Sequence, residues 1–217
     1  MNNNQSVIST MGWKTFFQNK QNRTEFVITI LIVIPIVVGF SQFLTFVEQR
    51  EGAVLNDPLL NLFNPIDLTW FTFALIYLSL IIYLITVIKE PNKLLIAVQT
   101  YGLIVLFRTV AMYLTPFAAP ENILLLNDPF VQLFGEGDIL TKDLFFSGHT
   151  ATLFLLVLLT DNKILKSVFL IATLLVASAV LIQHVHYSID VFAAPFFTYA
   201  SYRIIKKLHI KITNTSN

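Results

Sequence analysis

The sequence contains no cysteine, and only 12% of its 217 residues are charged. Without cysteine there is no disulfide framework, no thiolate metal site and no cysteine nucleophile. Soluble proteins carry about 25% charged residues, whereas here 55% of the residues are hydrophobic. A soluble domain of this length has too small an interior to bury so much apolar surface. The composition therefore excludes disordered and nucleic-acid-binding proteins and predicts a membrane protein.

Six apolar stretches are candidates for transmembrane helices. The apolar core of a bilayer is about 30 Å thick, and a helix needs about 20 apolar residues to cross it. We predict an all-α integral membrane protein with six transmembrane helices, divided into a polar N-terminal segment (1–25), a six-span domain (26–205) and a basic tail (206–217). The six stretches are 26–47, 68–88, 94–117, 144–160, 167–183 and 184–202.

The basic residues predict the orientation of the chain. Eleven of the 14 lysines and arginines fall on one side of the predicted spans, and basic residues accumulate on the cytoplasmic side of membrane proteins. We predict a multi-pass protein of a cell (inner) membrane with both termini in the cytoplasm and the long loops 48–67 and 118–143 outside. The eleven residues are Lys14, Lys20, Arg23, Lys89, Lys93, Lys163, Lys166, Arg203, Lys206, Lys207 and Lys211.

The two long loops share a nearly repeated segment, residues 55–63 and 126–134. Both contain Asp-Pro, which is a good helix start because Asp caps and Pro suits the first helical position. We expect each segment to form a short amphipathic helix in the membrane interface. The alternative is that Asp57 or Asp128 contacts a lipid headgroup.

Four ionisable residues lie within predicted spans: Arg108, His149, His186 and Asp190. Each such group costs roughly 2.5 kcal/mol or more in a bilayer, so it needs a reason. Taken singly, each has a structural explanation, such as packing, a buried hydrogen bond or an arginine that reaches the interface. All four are predicted near the outer face, however, and this convergence indicates a site.

The local patterns around these residues are typical of phosphate chemistry. On a helix, His186 and Asp190 lie four residues apart on one face, so the carboxylate can hold one ring nitrogen and leave the other as nucleophile or base. Ser147 is a plausible helix cap, Gly148 lets a ligand approach the backbone, and the helix start favours an anion. His149 beside that anion is placed to protonate a leaving oxygen.

We therefore predict a phosphate-binding group that comprises Arg108, Ser147, Gly148 and Thr150. The guanidinium of Arg108 would neutralise phosphate oxygens. Asp143, Lys142 and Tyr187 lie close in sequence and are predicted near the substrate.

Residues 143–150 (DLFFSGHT) resemble the D-x-x-F-S-G-H-T motif of the sphingomyelin synthase family, and residues 186–191 (HYSIDV) resemble its H-Y-[ST]-[IV]-D-V motif. Arg108-Thr109-Val110 with Leu114-Thr115-Pro116 is similar to the family's third-span motif. The sequence departs from the family at Thr141-Lys142, where Cys-Gly is usual, and at Pro195, where Tyr is frequent.

That family belongs to the type-2 phosphatidic acid phosphatase superfamily, and the resemblance implies six spans with an exoplasmic site. It further implies that His186 forms a phosphohistidine, that Asp190 orients it, and that His149 serves as general acid and base.

A phosphotransferase and a phosphatase differ in the charge that they must bind. The superfamily's phosphatases resemble one another in K-x6-R-P and S-R-x5-H-x3-D motifs, but here Ala179 and Val180 stand where Ser-Arg is expected. A phosphate monoester carries about −1.5 to −2 charges, like a phosphorylated side chain, so one arginine, aided by Lys142, suits a diester better. We predict transfer of a phospho-headgroup from a glycerophospholipid to a lipid alcohol such as ceramide or diacylglycerol, with a lipid phosphate phosphatase that uses water as the alternative.

The donor is left open between choline, ethanolamine and inositol lipids. Acidic residues of the outer loops could meet an amine headgroup, or could follow only from the charge asymmetry of the topology. They are Glu121, Asp128, Glu136, Asp138 and Asp143.

A proton-coupled transporter and a metal-binding protein are two further alternatives. Intramembrane Arg, His and Asp also occur in proton-coupled transporters, although near the midplane rather than at one face. We expect no metal or other cofactor, because His184 and His186 point about 200° apart on a helix and no third ligand is evident.

Overall fold

A computed structural model describes residues 12–128 and 140–215 of the chain, with side chains up to residue 209. This part of the chain is helical and contains no β-strand, which confirms the all-α prediction. Its helices are α1 (Trp13–Gln18), α2 (Lys20–Gln49), a 3₁₀ turn (Leu60–Leu62), α3 (Thr69–Val87), α4 (Pro91–Leu114), α5 (Gly148–Leu159), α6 (Lys163–Ile182) and α7 (Ser188–Thr215).

Four helices, α2, α3, α4 and α6, are long and apolar enough to cross a membrane. The protein is thus an all-α membrane protein. Helix α5 is also apolar but has only 12 residues, which corresponds to about 18 Å at 1.5 Å per residue. Helix α7 has 28 residues and carries Pro195 inside it. Whether α5 and α7 complete the six spans stays a prediction.

Single residues with known helix-starting roles stand at the N-terminal ends of four of these helices. The side chain of Asn19 accepts hydrogen bonds from the first turn of α2, and that of Asn162 does the same for α6. Pro91 occupies the first turn of α4, where a missing N–H costs nothing. Ser147 caps α5.

Helix α5 lies at the centre of the bundle and packs against α3, α4, α6 and α7. Its buried side chains, among them Ala151, Leu153 and Leu156, form the middle of the hydrophobic core. Helix α2, by contrast, packs against α4 and α1 and buries only Thr29 and Val47. Most of its apolar surface is therefore left to face lipid.

The bundle has two unlike ends. At the first, which we call the long-loop end, α2, α4 and α6 finish and α3, α5 and α7 begin, with connections at 50–68 and 115–147. At the other, the short-loop end, α3 and α4 are joined by three residues, as are α5 and α6. The long-loop end is the one that carries the predicted site.

The first of the two predicted interfacial helices is shorter in the structure than the sequence pattern predicts. Residues 55–63 form only the 3₁₀ turn, because Leu60 is buried with Leu144 and Tyr187 and the carboxylate of Asp57 is bound by Ser188. These tertiary contacts hold the segment in a conformation other than a longer helix. Residues 129–134 of the second copy, together with Glu136 and Asp138, lie outside the described residues.

Candidate active site

Three segments meet at the long-loop end: the last turns of α4, the start of α5, and the turn 183–187 that leads into α7. A backbone hydrogen bond joins the start of α5 to the first turn of α7, because the Ser147 N–H donates to the Asp190 carbonyl over 3.0 Å. The structure thereby brings together Arg108, His149, His186 and Asp190, which are up to 82 positions apart in the sequence.

His186 and Asp190 are in contact, but not by stacking on a helix as the sequence pattern predicted. Helix α7 begins at Ser188, so His186 lies in the preceding turn. Asp190 folds back toward that turn, and its Oδ2 accepts a 2.9 Å hydrogen bond from the Tyr187 N–H. This places Oδ2 3.5 Å from His186 Nδ1, with both side chains at most 1% exposed.

At 3.5 Å, without good hydrogen-bond geometry, this contact is longer than a normal hydrogen bond. Within the described residues, neither His186 Nδ1 nor Asp190 Oδ1 has a hydrogen-bond partner. The carboxylate nevertheless faces the Nδ1 side of the ring. It therefore leaves Nε2 as the nitrogen on the opposite side.

His149, in the first turn of α5, faces His186. The two ring centroids are 5.9 Å apart, with an angle of 64° between the planes. Phe73 of α3 packs edge-on against His149 at a centroid distance of 5.9 Å. His149 Nδ1 is buried and has no partner in the part of the chain that the structure describes. The two imidazoles are thus direct neighbours.

Arg108 is 7% exposed and lies directly over the start of α5. Its Nε donates to the Phe146 carbonyl over 2.9 Å, a terminal nitrogen forms an ion pair with Asp143, and Phe40 of α2 lies 5.1 Å from the guanidinium carbon. A side chain at position 148 would have its Cβ 2.6 Å from an Arg108 nitrogen, so any residue larger than glycine would displace the guanidinium. The guanidinium thus fills the space that the sequence predicts Gly148 to leave for a ligand.

The remaining predicted phosphate-binding residues form the cap of α5. Ser147 is fully buried, and its Oγ accepts from the Thr150 N–H at 3.4 Å and from the Thr150 hydroxyl at 3.1 Å. Ser147 lies in the chain between Phe146 and Gly148, which both lie against the guanidinium. Direct contact of Ser147 and Thr150 with phosphate stays a prediction.

The structure places Lys142 and Tyr187 in contacts that join loops. Lys142 Nζ donates to the backbone carbonyls of Glu48 and Arg50. The Tyr187 hydroxyl donates to the Ala118 carbonyl at 3.0 Å and accepts from the Leu55 N–H at 3.2 Å. The predicted closeness of both residues to substrate stays untested.

Asp57 supports the site in a way that sequence reasoning missed. Its carboxylate accepts from the Ser188 N–H at 2.6 Å and from the Ser188 hydroxyl at 3.0 Å, so it caps α7 next to His186 and Asp190. Partial burial raises the pKa of Asp57, but hydrogen bonds from Ser188 and Leu59 outweigh it and hold the pKa below its usual value. The repeated Asp-Pro was the only feature of the sequence that drew attention to Asp57, and it does not indicate a contact with α7.

A cavity of about 530 Å³ opens beside this turn, between residues 54–57, 60–65 and 120–122, with His184 and Tyr187 on its wall. Small-molecule sites commonly have volumes of about 300–1,000 Å³. Among its described lining residues, the charged ones are Asp57 and Glu121, both acidic. No group of three or more potential metal ligands occurs among residues 12–128 and 140–215.

Residues 142–208 match a family model described as PAP2 superfamily C-terminal. The matched segment contains His149, His186 and Asp190, whereas Arg108 lies before it. The match supports the type-2 phosphatidic acid phosphatase superfamily and an enzyme that acts on lipid phosphates. It does not single out the sphingomyelin synthase-like branch. No curated protein matches the chain.

Proposed function

We propose that this protein is a membrane phosphotransferase that moves a phospho-headgroup from a glycerophospholipid to a lipid alcohol such as ceramide through a phosphohistidine. The observation that carries the proposal is the pairing of two imidazoles 5.9 Å apart, with a buried carboxylate against one of them and a buried arginine at the adjacent helix start.

In the first half-reaction, Nε2 of His186 attacks the phosphorus of the donor. A P–N bond forms, and the bond between phosphorus and the diacylglycerol oxygen breaks. His149 donates a proton to that leaving oxygen. Asp190, facing Nδ1, holds the ring and stabilises the positive charge that the ring acquires.

In the second half-reaction, His149 takes the proton from the primary hydroxyl of the acceptor. The hydroxyl oxygen attacks phosphorus, the P–N bond breaks, and His186 is restored. Arg108 stabilises the phosphoryl oxygens in both steps, because oxygens that gain charge in the transition state are best met by preorganised donors. Its ion pair with Asp143 must open or be shared when phosphate binds.

The charge balance at the site favours a diester donor. Arg108 already carries the carboxylate of Asp143, and Lys142 Nζ is held by two carbonyls. A phosphodiester carries one negative charge, whereas a monoester approaches two. This supports transfer over the phosphatase reaction, in which phosphatidic acid is the substrate.

The donor headgroup has room in the 530 Å³ cavity, whose wall includes Tyr187, the neighbour of His186. The acidic lining suits a choline or ethanolamine cation, while the asparagines Asn56, Asn61, Asn64 and Asn122 also suit the hydroxyls of inositol. We further propose, from the distribution of basic residues, that the long-loop end faces the exoplasm and both termini face the cytoplasm.

One assay tests the proposal. Purified protein receives labelled ceramide or diacylglycerol with phosphatidylcholine, phosphatidylethanolamine or phosphatidylinositol, and separately phosphatidic acid. We expect headgroup transfer to the labelled alcohol. Release of inorganic phosphate from phosphatidic acid, without any transfer, would show a phosphatase instead.

A further inference from the structure

Glu48, in the last turn of α2, holds the segment that contacts Arg108 and then leads along the chain to His149. Its Oε2 accepts hydrogen bonds from the Thr141 N–H at 2.9 Å and from the Lys142 N–H at 3.0 Å, while its Oε1 accepts from the Thr141 hydroxyl. In return, Lys142 Nζ donates to the carbonyls of Glu48 (2.8 Å) and Arg50 (2.6 Å). We call Glu48, Arg50, Thr141 and Lys142 the α2 clasp.

The clasp continues into the anion site within a few residues. The Leu144 N–H donates to the Lys142 carbonyl at 2.9 Å, which closes a tight turn around Asp143. From this turn, Asp143 forms the ion pair with Arg108, and three residues later the Phe146 carbonyl accepts from Arg108 Nε. The guanidinium is therefore held by two points on a segment whose upstream end is fixed by Glu48.

This segment needs an anchor, because residues 140–147 form neither helix nor strand. A carboxylate that accepts two backbone N–H groups and a hydroxyl is a strong one, since hydrogen bonds to a charged acceptor are roughly twice as strong as neutral ones. A second contact holds the clasp to α4: Arg50 donates to the Tyr113 carbonyl at 3.2 Å, five residues beyond Arg108.

We propose that Glu48 is a positioning residue for the anion site, which acts through Thr141, Lys142 and Asp143 on the guanidinium of Arg108. The inference rests on the proposed function for its kinetic consequence, but not for its effect on anion binding. Glu48 itself touches neither histidine in the contacts described above.

Two substitutions of Glu48 separate geometry from charge. Glu48→Ala removes all three acceptor contacts. Glu48→Gln keeps them, because the amide oxygen can accept from both N–H groups while the NH₂ donates to the Thr141 hydroxyl. Thr141→Val removes only the hydroxyl contact, with little change of shape, and Glu51→Ala removes an exposed acid three residues away as a control.

Two readouts apply to each variant: binding of dimethyl phosphate, a soluble phosphodiester, by ³¹P NMR, and the kcat and KM for headgroup transfer. We expect Glu48→Ala to weaken dimethyl phosphate binding and raise the donor KM by about 10-fold, in line with the cost of misplacing a positioning group. Thr141→Val and Glu48→Gln, which weaken the contacts without removing all of them, should each shift both in the same direction by about threefold, and Glu51→Ala by less than about twofold.

The thermal midpoint of each variant is measured alongside. Unchanged binding and KM in Glu48→Ala and Thr141→Val, with folded protein, would overturn the inference, as would an equal loss in Glu48→Gln and Glu48→Ala. If Glu48→Ala does not fold, Thr141→Val decides. Wild-type protein that binds dimethyl phosphate, with binding weakened in Glu48→Ala, but transfers no headgroup would overturn the proposed function and leave this inference standing.

Discussion

Two histidine–carboxylate pairs lie at opposite ends of the bundle. At the long-loop end, His186 and Asp190 are 3.5 Å apart and at most 1% exposed. At the short-loop end, His209 Nε2 lies 3.1 Å from Glu25 Oε1, and both side chains are 20% exposed. His209 also contacts the Gln99 side-chain oxygen at 2.6 Å. The second pair thus joins α7, α2 and α4.

The difference lies in which polar atoms have partners. The short-loop pair belongs to a hydrogen-bonded cluster, as structural polar groups in proteins normally do. At the long-loop end, the described residues leave His149 Nδ1, His186 Nδ1 and Asp190 Oδ1 buried without one. An unsatisfied buried polar group costs about 1–3 kcal/mol. Under the proposed function a substrate uses these groups, so the same residue types would fasten helices at one end and carry out chemistry at the other.

We expect the largest difference in headgroup transfer between the two ends when one histidine is removed from each. His186→Ala deletes the proposed nucleophile, and we expect headgroup transfer to fall at least about 1,000-fold. His209→Ala, at the other end, should change transfer by less than about threefold. Initial rates with matched protein amounts measure both. Comparable losses in the two variants would mean that His186 has no special role.

The carboxylates offer a second, smaller contrast. Asp190→Asn keeps an oxygen that can accept from the Tyr187 N–H but loses the charge beside His186, so we expect kcat to fall about 100-fold. Glu25→Gln is the matched change at the short-loop end and should leave kcat within about threefold. An Asp190→Asn enzyme with full kcat would contradict the orienting role of this residue.

The sequence predicted much of this site, for a physical reason. Ionisable groups are so costly in apolar spans that Arg108, His149, His186 and Asp190 stand out without any structure. The helical structure of α2, α3 and α4 and the approximate bounds of these helices also followed from the long apolar runs.

Contacts between distant residues were not predictable in the same way. The helical spacing of His186 and Asp190 suggested a shared helix face, yet the chain turns before Ser188. Likewise, Asp57 lies in a polar loop and Glu48 in the last turn of α2, where an acid costs little, so their roles come from the tertiary contacts alone. The same holds for Gly148, whose small size admits the guanidinium of Arg108.

Replacing one arginine at each end by lysine tests whether donor binding depends on the geometry of the guanidinium or only on its positive charge. Arg108→Lys keeps one positive charge but cannot keep contacts to the Phe146 carbonyl, to Asp143 and to a phosphate together, so we expect the donor KM to rise about 10-fold. Arg203→Lys near the short-loop end, where Arg203 is exposed beside Tyr199, should leave KM within about twofold. Donor titrations measure this, and equal KM values in the two variants would count against Arg108 as a phosphate-binding residue.

Substitutions in the N-terminal caps of α5 and α6 allow the two ends to be compared in stability as well as in transfer rate. Asn162 accepts from the Ile164 and Leu165 N–H groups at 2.9 and 3.1 Å, and Asn162→Ala should lower the free energy of unfolding by about 1 kcal/mol with transfer unaffected. Ser147→Ala should cost similar stability and reduce transfer as well, because Ser147 fixes the helix start between Phe146 and Gly148, which both lie against the guanidinium of Arg108. Unfolding midpoints and initial rates distinguish the two outcomes. Unchanged transfer in Ser147→Ala would make this residue a cap only.

The smallest expected effect compares two carboxylates within the long-loop end. The pKa of Asp57 is raised by burial but lowered more by hydrogen bonds from Ser188 and Leu59, and that of Asp67 is lowered by its hydrogen bonds with Thr69. A lowered folded-state pKa means that each carboxylate stabilises the fold above its unfolded-state pKa of about 3.9, and that this stability is lost as the pH falls through the folded-state value. Asp57→Asn and Asp67→Asn should therefore both flatten the acid side of a plot of thermal midpoint against pH. Only Asp57 binds the turn next to His186, so Asp57→Asn alone should also change the acid limb of the transfer rate. Equal effects of the two substitutions on that limb would mean that Asp57 caps α7 without supporting the histidine.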